Sequence, residues 1–390
     1  MKNRIVNVIF AVLTLLCLLL PFAAALLRQK TVNYYENRYA EHFAPFSVPS
    51  YLDGSFQDAM ESGLADQLPA AQRLKKIYHL AFSSYQRPLA EALAARAPGS
   101  AVQIGGMLFY DGCICYYPRK FAKEQAQVEK KTENYNAIFA AHPETAFYLY
   151  YVTTDFDFSL EQGRETALVY QYLQDNLTLP AERIARLDLA DGRNYADLFL
   201  RTDHHWNDRG AYQGYRDILA LLAPAETPLV PLEEVEVGPF SGSKAVGREL
   251  SSFSEIFRAY RFAWPEMEIT INGVPAADYG NREIYLSGRA TDRLTYGSFY
   301  GDDEGVVAFR VPGNEGKGSL LVVGESYDNA IIKLLAAHFE TTYAVDLRYY
   351  RVYMGEDFRL GAFLREHGID RVLLDGSLPY FDADDFLLED

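Results

Sequence analysis

Cysteine is nearly absent from this 390-residue chain. Only Cys17, Cys113 and Cys115 occur, and no CxxC pair is present. Cys113 and Cys115 stand two residues apart, a spacing that rarely closes an unstrained disulfide. A disulfide framework and a thiolate zinc cluster are therefore both excluded, and the two cysteines read as strand or turn residues. Cys17 also lacks the small preceding residue that a lipoprotein signal needs. Histidine is scarce at seven, with no HExxH pair, and His42, His79, His142, His338 and His367 are isolated. Basic charge is short as well: 37 Lys/Arg face 53 Asp/Glu, a net charge of −16. Nucleic acid and polyanions are poor general partners for such a chain. There is no internal repeat and no low-complexity tract.

What is present begins with a long apolar run. Lys2 and Arg4 precede an uncharged stretch from Ile5 to Leu27, and Arg28 and Lys30 follow. At about 1.5 Å per residue a helix of this length spans a bilayer. Residues 1–30 read as a signal anchor, with a cleaved signal peptide ending at Ala23-Ala24-Ala25 as the other reading. Either one sends residues 31–390 outside the cytoplasm. Residues 1–30 hold four of the Lys/Arg and none of the Asp/Glu, so the net charge of the remainder deepens from −16 to −20. Hydrophobic residues at 49% and charged residues at 23% indicate a folded globular chain. The 29 Tyr and 24 Phe suit strands and packed cores, and on a surface they suit contact with sugar rings.

Five segments follow from texture. After residues 1–30 comes a juxtamembrane segment, 31–75, with turn residues at Pro45, Pro49 and Asp53-Gly54, then a short helix in QDAMESGLADQL. Residues 76–228 alternate. GMLFYDG and TAFYLYYVTT read as strands, while KEQAQVEKKTENYNAIFAAH and SLEQGRETALVYQYLQDNL read as helices. That alternation predicts an α/β fold with a parallel sheet. Residues 229–312 are rich in Val, Tyr, Gly and turn signals and predict an antiparallel β insertion. Alternation returns over 313–390: SLLVVG, TYAVDLR and RVLLDGS read as strands, and YDNAIIKLLAAHF and FRLGAFLREHG as helices.

TDHHWN, residues 202–207, concentrates the chemistry. Three readings compete: metal ligation, a catalytic relay, and a polar start to the helix that follows with Ala211, Tyr215, Ile218, Leu219 and Leu222 on one side. Asp and His are acceptable zinc ligands, but adjacent histidines on an extended segment are expected to diverge. In the same extended geometry Asp203 and His205 share a face. A serine hydroxyl is a weak nucleophile until a histidine, oriented by a carboxylate, takes its proton. Ser326 in GES, where a buried strand turns towards a helix, is the matching nucleophile. Its own N–H and that of Tyr327 are positioned to hold an oxyanion. Ser is also a favoured helix cap, which is the plainer reading.

T-D-H-H-W followed by G-E-S-Y resembles the bacterial DHHW proteins, which are similar to the SGNH-hydrolase-like periplasmic proteins of alginate O-acetylation. YYENRY, DGSF at 53–56 and ADQLP at 65–69 extend the resemblance to the juxtamembrane segment. It implies an SGNH-like, flavodoxin-like parallel sheet in permuted order, because Asp and His precede Ser. It implies a Ser326–His205–Asp203 triad with no cofactor and no metal. His204 and Trp206 are implied to support it, and Tyr327, Asn329, Arg348 and Tyr349 are oxyanion candidates, the last two placed at the end of a strand. The implied activity is O-acetylation of an exopolysaccharide in the bacterial envelope, through an acetyl-enzyme charged by a membrane-bound O-acyltransferase. A carbohydrate esterase with the same triad and a non-catalytic glycan-binding or assembly protein are the alternatives. Glu325 departs from the family's usual Asp.

Overall fold

The computed structural model describes residues 2–27, 30, 32–33, 38–68, 99–104, 107–190, 192, 194–246 and 253–390, with positions 73, 77, 88–89, 92–93 and 96 between them. The chain divides into two compact units, Met1–Leu89 with Ser243–Phe253, and Ala90–Gly242 with Ser254–Asp390.

The first unit opens with the helix Lys2–Leu27, whose Val6–Leu27 part is long and apolar enough to cross a membrane. After the short helix Val48–Leu52, the helix Ser55–Gln67 ends on Asp66 and Gln67, both buried. The Asp66 carboxylate accepts the Glu41 N–H, and the Gln67 amide bonds both backbone groups of Lys30 and the carbonyl of Glu41. Two polar residues of ADQLP thus satisfy backbone groups of Lys30 and Glu41, far apart in the chain from this helix. Residues 34–37 of YYENRY and most of residues 69–98 lie outside the described residues, while Arg38–Tyr39 pairs antiparallel with Val32–Asn33.

The second unit is built on an eight-stranded mixed sheet. Its order is Val274–Ala276, Glu268–Ile271, Val306–Arg310, Thr341–Val345, Ser319–Val323, Arg371–Gly376, Ala146–Tyr151, Ile184–Arg186. The last five strands run parallel, and the first three pair antiparallel along one edge. The Ser319–Val323 strand lies in the middle and is buried throughout. Period-2 alternation explains its unbroken apolar run. Leu320 and Val322 join one core with the helix Asp208–Leu222, while Leu321 and Val323 join the opposite core with the helices Phe121–Ala141 and Leu360–His367. Each such side chain contributes about 1.5–3 kcal/mol on burial, so the strand that carries the serine has little freedom to move.

Several predicted elements change. GMLFYDG does not enter the parallel sheet. Met107–Tyr110 is the middle strand of a three-stranded antiparallel sheet. Asp111 and Gly112 both take positive φ (45° and 83°), the primed turn that joins adjacent strands directly. SLEQGRE forms a small hairpin, Phe158–Ser159 with Arg164–Glu165, and only Val169–Asn176 is helical. The segment 229–312 is split. Its first half is a separate hairpin, Glu233–Phe240 with Glu255–Arg261, and its second half supplies the antiparallel edge of the main sheet. The texture was antiparallel, but pairing with Thr341–Val345 absorbed it into the existing sheet. YDNAIIKLLAAHF is a 3-10 turn, Asp328–Ala330, then a short helix, Ile332–Ala336. Arg348 and Tyr349 do not end a strand, because the strand stops at Val345 and Asp346 caps the helix Leu347–Met354.

Candidate active site

Ser326 stands just beyond the carboxyl end of the central strand, where α/β sheets place their ligands. Gly324 gives the turn its room: a Cβ there would sit 2.4 Å from the Asp328 carboxylate and 3.1 Å from the Asp375 carbonyl. Glu325 points away from Ser326's hydroxyl bond and into the fold, accepting the Ser377 N–H at 2.7 Å and the Ser377 hydroxyl at 2.6 Å. It thereby fixes the turn to the end of the neighbouring strand Arg371–Gly376.

TDHHWN comes to Ser326 as a closed loop. Phe199 bridges Trp206, Leu200 donates to the His205 carbonyl, and Asn207 donates to the Leu198 carbonyl. Asn207 caps the helix Asp208–Leu222 by accepting the N–H groups of Arg209 and Gly210, as its polar start implied. Trp206 is fully buried on that helix. Gly210 and Gly214 make its seat: a Cβ at 214 would lie 2.5 Å from the indole.

The side chains then form a continuous relay. His205 Nε2 lies 2.8 Å from Ser326 Oγ, and His205 Nδ1 lies 2.6 Å from Asp203 Oδ1. Asp203 Oδ1 also accepts the His205 backbone N–H at 3.1 Å. The expectation that Asp203 and His205 face one way holds, but not through an extended backbone. The segment is a run of bends, folded by this i to i+2 bond in the manner of an Asx turn. The fold also overturns the expected divergence of the histidines. Their ring centroids lie 3.9 Å apart with the planes tilted by 35°, and His204 Nδ1 lies 3.4 Å from Asp203 Oδ1. Ligand atoms of Asp203, His204 and His205 all lie within 4.8 Å of one another. Both His205 nitrogens are already bonded, however, so a chelated cation would have to break the Asp203 or the Ser326 bond. The donor set suits a proton relay better than an ion.

Two rings pack against His205. His204 does so at a tilt, and the Tyr296 ring lies flat on the imidazole at 3.7 Å and 4°. The Tyr296 hydroxyl in turn accepts the Trp206 indole N–H at 3.1 Å. Tyr296 opens a short helix set by the Thr295–Ser298 capping box. The sequence does not single it out: TYGSF signals the cap, but nothing in it signals the stack.

Of the oxyanion candidates, Tyr327 is adjacent and buried, and its hydroxyl donates to the His204 carbonyl at 2.6 Å. Burial, with Glu325 and Asp155 near it, pushes this phenol well up, so it remains a donor. Among the described residues, neither the Ser326 nor the Tyr327 N–H donates to a protein acceptor. Asn329 is buried and committed to its neighbours, accepting from the Tyr279 hydroxyl at 2.6 Å and donating to Asp303 at 3.0 Å. Arg348 is tied to Asp346 and Asp303 rather than to Ser326 or His205. Tyr349 follows it on the helix, with its ring 6.5 Å from Tyr353. Beneath the serine turn, burial pushes the Asp328 and Asp375 carboxyls well above the usual range, with Asp375 the next cause for Asp328 and Glu325 for Asp375.

The sequence profile described as DHHW protein matches residues 127–345, which takes in the loop, the relay and the serine turn. The chain belongs to the DHHW family. Among solved structures, this DHHW protein is similar to a DHHW family protein from Eubacterium siraeum, at 19% identity over 73% of this chain and 95% of that one, with a TM-score of 0.51. It is similar to Bacillus cereus PatB1, solved with a sulfonyl adduct, at 18% identity over 73% and 97% of the two chains and a TM-score of 0.53. A looser likeness, TM-score 0.39 and 14% identity over 73% and 93%, links it to the O-acetyltransferase domain of Pseudomonas putida AlgJ. These likenesses concern the fold. No curated protein matches the chain.

Proposed function

We propose that this DHHW protein is an extracytoplasmic O-acetyltransferase that acts on a surface or secreted polysaccharide through a Ser326–His205–Asp203 triad. The observation that carries the reading is the unbroken bond path, 2.8 Å from Ser326 to His205 and 2.6 Å from His205 to Asp203. In the first half-reaction His205 Nε2 takes the Ser326 proton as Oγ attacks the acetyl carbonyl, and Asp203 holds the proton on Nδ1. The N–H groups of Ser326 and Tyr327 receive the tetrahedral oxyanion. On collapse the leaving group takes the proton from His205, and Ser326 becomes an acetyl ester. In the second half-reaction a sugar hydroxyl gives its proton to His205, attacks that ester, and leaves as the O-acetyl sugar with Ser326 restored.

His204 and Trp206 support His205. The N-terminal helix anchors the protein outside the cytoplasmic membrane, beside a membrane-bound O-acyltransferase that supplies the acetyl group. With Asp and His ahead of Ser along the chain, the parallel strands represent a permuted flavodoxin-like order. The test uses the full chain with p-nitrophenyl acetate and mass spectrometry. We expect an acetyl adduct on the Ser326 peptide, absent in Ser326→Ala and His205→Ala, and faster nitrophenol release when a polysaccharide acceptor is added. A sulfonyl fluoride should label the same peptide. Release that is fast and indifferent to any glycan makes the protein an esterase instead. No Ser326 adduct refutes the triad.

A further inference from the structure

The loop that carries Asp203 and His205 needs something to hold its near end, and the proposed triad contains nothing that does. Arg201 and Thr202 come immediately before Asp203, in a run of bends with no regular backbone ladder. Their N–H groups both point to one side chain. Glu255 Oε2 accepts the Arg201 N–H at 3.0 Å, and Oε1 accepts the Thr202 N–H at 2.8 Å and the Thr202 hydroxyl at 2.7 Å. The Thr202 hydroxyl in turn accepts the Gly242 N–H at 3.0 Å, and the Arg201 carbonyl accepts the Ile114 N–H at 2.8 Å. Glu255 is the first residue of the hairpin strand Glu255–Arg261, which belongs to neither the nucleophile strand nor the catalytic loop. A lone carboxylate that satisfies two successive backbone donors fixes both the position and the direction of the chain, as an anion does at a cluster of N–H groups.

We infer that Glu255 is the positioning residue of the catalytic base: its carboxylate clamps Arg201 and Thr202, and so sets where Asp203 meets His205. The inference rests on the triad reading and goes beyond it. The Glu255 carboxylate bonds Arg201 and Thr202 rather than Ser326, and its effect passes through the 2.6 Å Asp203–His205 bond. Neither of the obvious replacements restores the clamp. A glutamine keeps one acceptor and presents an amide N–H₂ to a backbone donor, and an aspartate is one methylene too short. The clamp is open to chemical complementation, because Glu255 lines a cavity of about 350 Å³ together with Arg201, Asp208, Arg209 and Arg258. A small carboxylate can enter there once the side chain is cut back.

The test compares full-length wild type, Glu255→Ala and Glu255→Gln, with Ser326→Ala as control, by p-nitrophenyl acetate kinetics, thermal melting and low-field proton NMR of the Asp203–His205 hydrogen. A loop displaced by about 1 Å costs on the order of 10²-fold in rate, so both Glu255 variants should lose about that in kcat with KM unchanged. Formate should recover part of the Glu255→Ala loss and none of the Glu255→Gln loss, where the pocket is still filled. The low-field resonance should weaken in Glu255→Ala and return with formate. Wild-type kcat in both variants overturns the inference. So does a lowered melting temperature in which kcat and KM change together without response to formate, which marks a structural residue only. Turnover that survives Ser326→Ala refutes the triad reading instead, and the NMR signal then decides the clamp by itself.

Discussion

Gly242→Ala tests how tightly Asp203 is confined. Gly242 passes so close to Asp203 that an ideal Cβ would lie 2.3 Å from its Cβ, 2.4 Å from Oδ2 and 2.8 Å from Cα. Carbon atoms rest about 3.5–4.0 Å apart, so the two groups must separate by more than an ångström. If Asp203 gives way, its bond to His205 opens from 2.6 Å to beyond hydrogen-bonding range. Misplacement on that scale costs on the order of 10²-fold in turnover. If Gly242 gives way, its N–H leaves the Thr202 hydroxyl, and overpacking costs about 1–3 kcal/mol of stability. The assay is p-nitrophenyl acetate turnover with melting curves for wild type, Gly242→Ala, Asp203→Ala and the double variant. We expect Gly242→Ala to lose kcat in the wild-type background and nothing further in Asp203→Ala, where the bond it disturbs is already gone. Unchanged turnover with an unchanged melt refutes the confinement. An equal loss in both backgrounds shows that Gly242 acts elsewhere.

Three other outcomes follow from the geometry. Asp208 has one carboxylate oxygen buried without a partner, and burial, then Glu234, raise its pKa from 3.8 to about 6. A raised folded-state pKa favours the protonated acid. That stability is complete below 3.8 and lost as pH rises through about 6, at most roughly 3 kcal/mol. Asp208→Asn should therefore raise the melting temperature at pH about 8 and not at pH about 4; an equal gain at both is the contrary result. Lys131 is buried among Tyr135, Tyr380 and Phe386, and burial lowers its pKa from 10.5 to about 7. Its contribution is present above 10.5 and lost as pH falls through about 7, so denaturant titrations should show stability rising across that window in wild type and flattened in Lys131→Met. Tyr296→Phe keeps the ring on His205 but strands the Trp206 N–H, so it should cost about 1–3 kcal/mol in denaturant stability and little turnover.

The parallel core was legible in the sequence because burial on both faces leaves an unbroken apolar signature. SLLVVG, RVLLDGS and TAFYLYY are strands of the central sheet. The helix Asp208–Leu222 was legible for the complementary reason: its buried Ala211, Tyr215, Ile218, Leu219 and Leu222 recur at the helical period. What was not legible was pairing. Glu268–Ile271 and Val306–Arg310 have the same alternation as the free hairpin before them, yet they extend the main sheet. Periodicity reports which face of a strand is buried. It carries no information on which neighbour supplies the hydrogen bonds.

The same division runs through the site. That Asp203, His205 and Ser326 come together was legible because relay chemistry needs those residue types, and two of them stand at a spacing short enough to read. The groups that hold them are of ordinary types at long range: Tyr296 lies 90 residues beyond Trp206, and Glu255 lies 53 beyond Thr202. A tyrosine among 29 and a glutamate in an acidic chain raise no signal of their own. The wrong step in the sequence reasoning, that neighbouring histidines diverge, has the same origin. It assumed an extended backbone, whereas the Asp203 carboxylate bends the backbone by accepting the His205 N–H. One oxygen atom therefore does two things: it shapes the turn that brings His204 against His205, and it lies 2.6 Å from Nδ1, which leaves Nε2 facing Ser326. Asp203→Asn separates these roles. An amide oxygen still accepts one of the two hydrogens, so the turn and the His204–His205 ring contact survive in the NMR spectrum. The carboxylate that stabilises the imidazolium is gone, and turnover should fall by about 10⁴-fold, as loss of the anionic member of such a relay does. A variant that lost the His204–His205 ring contact along with the rate would show instead that the turn, rather than the charge, is what Asp203 supplies.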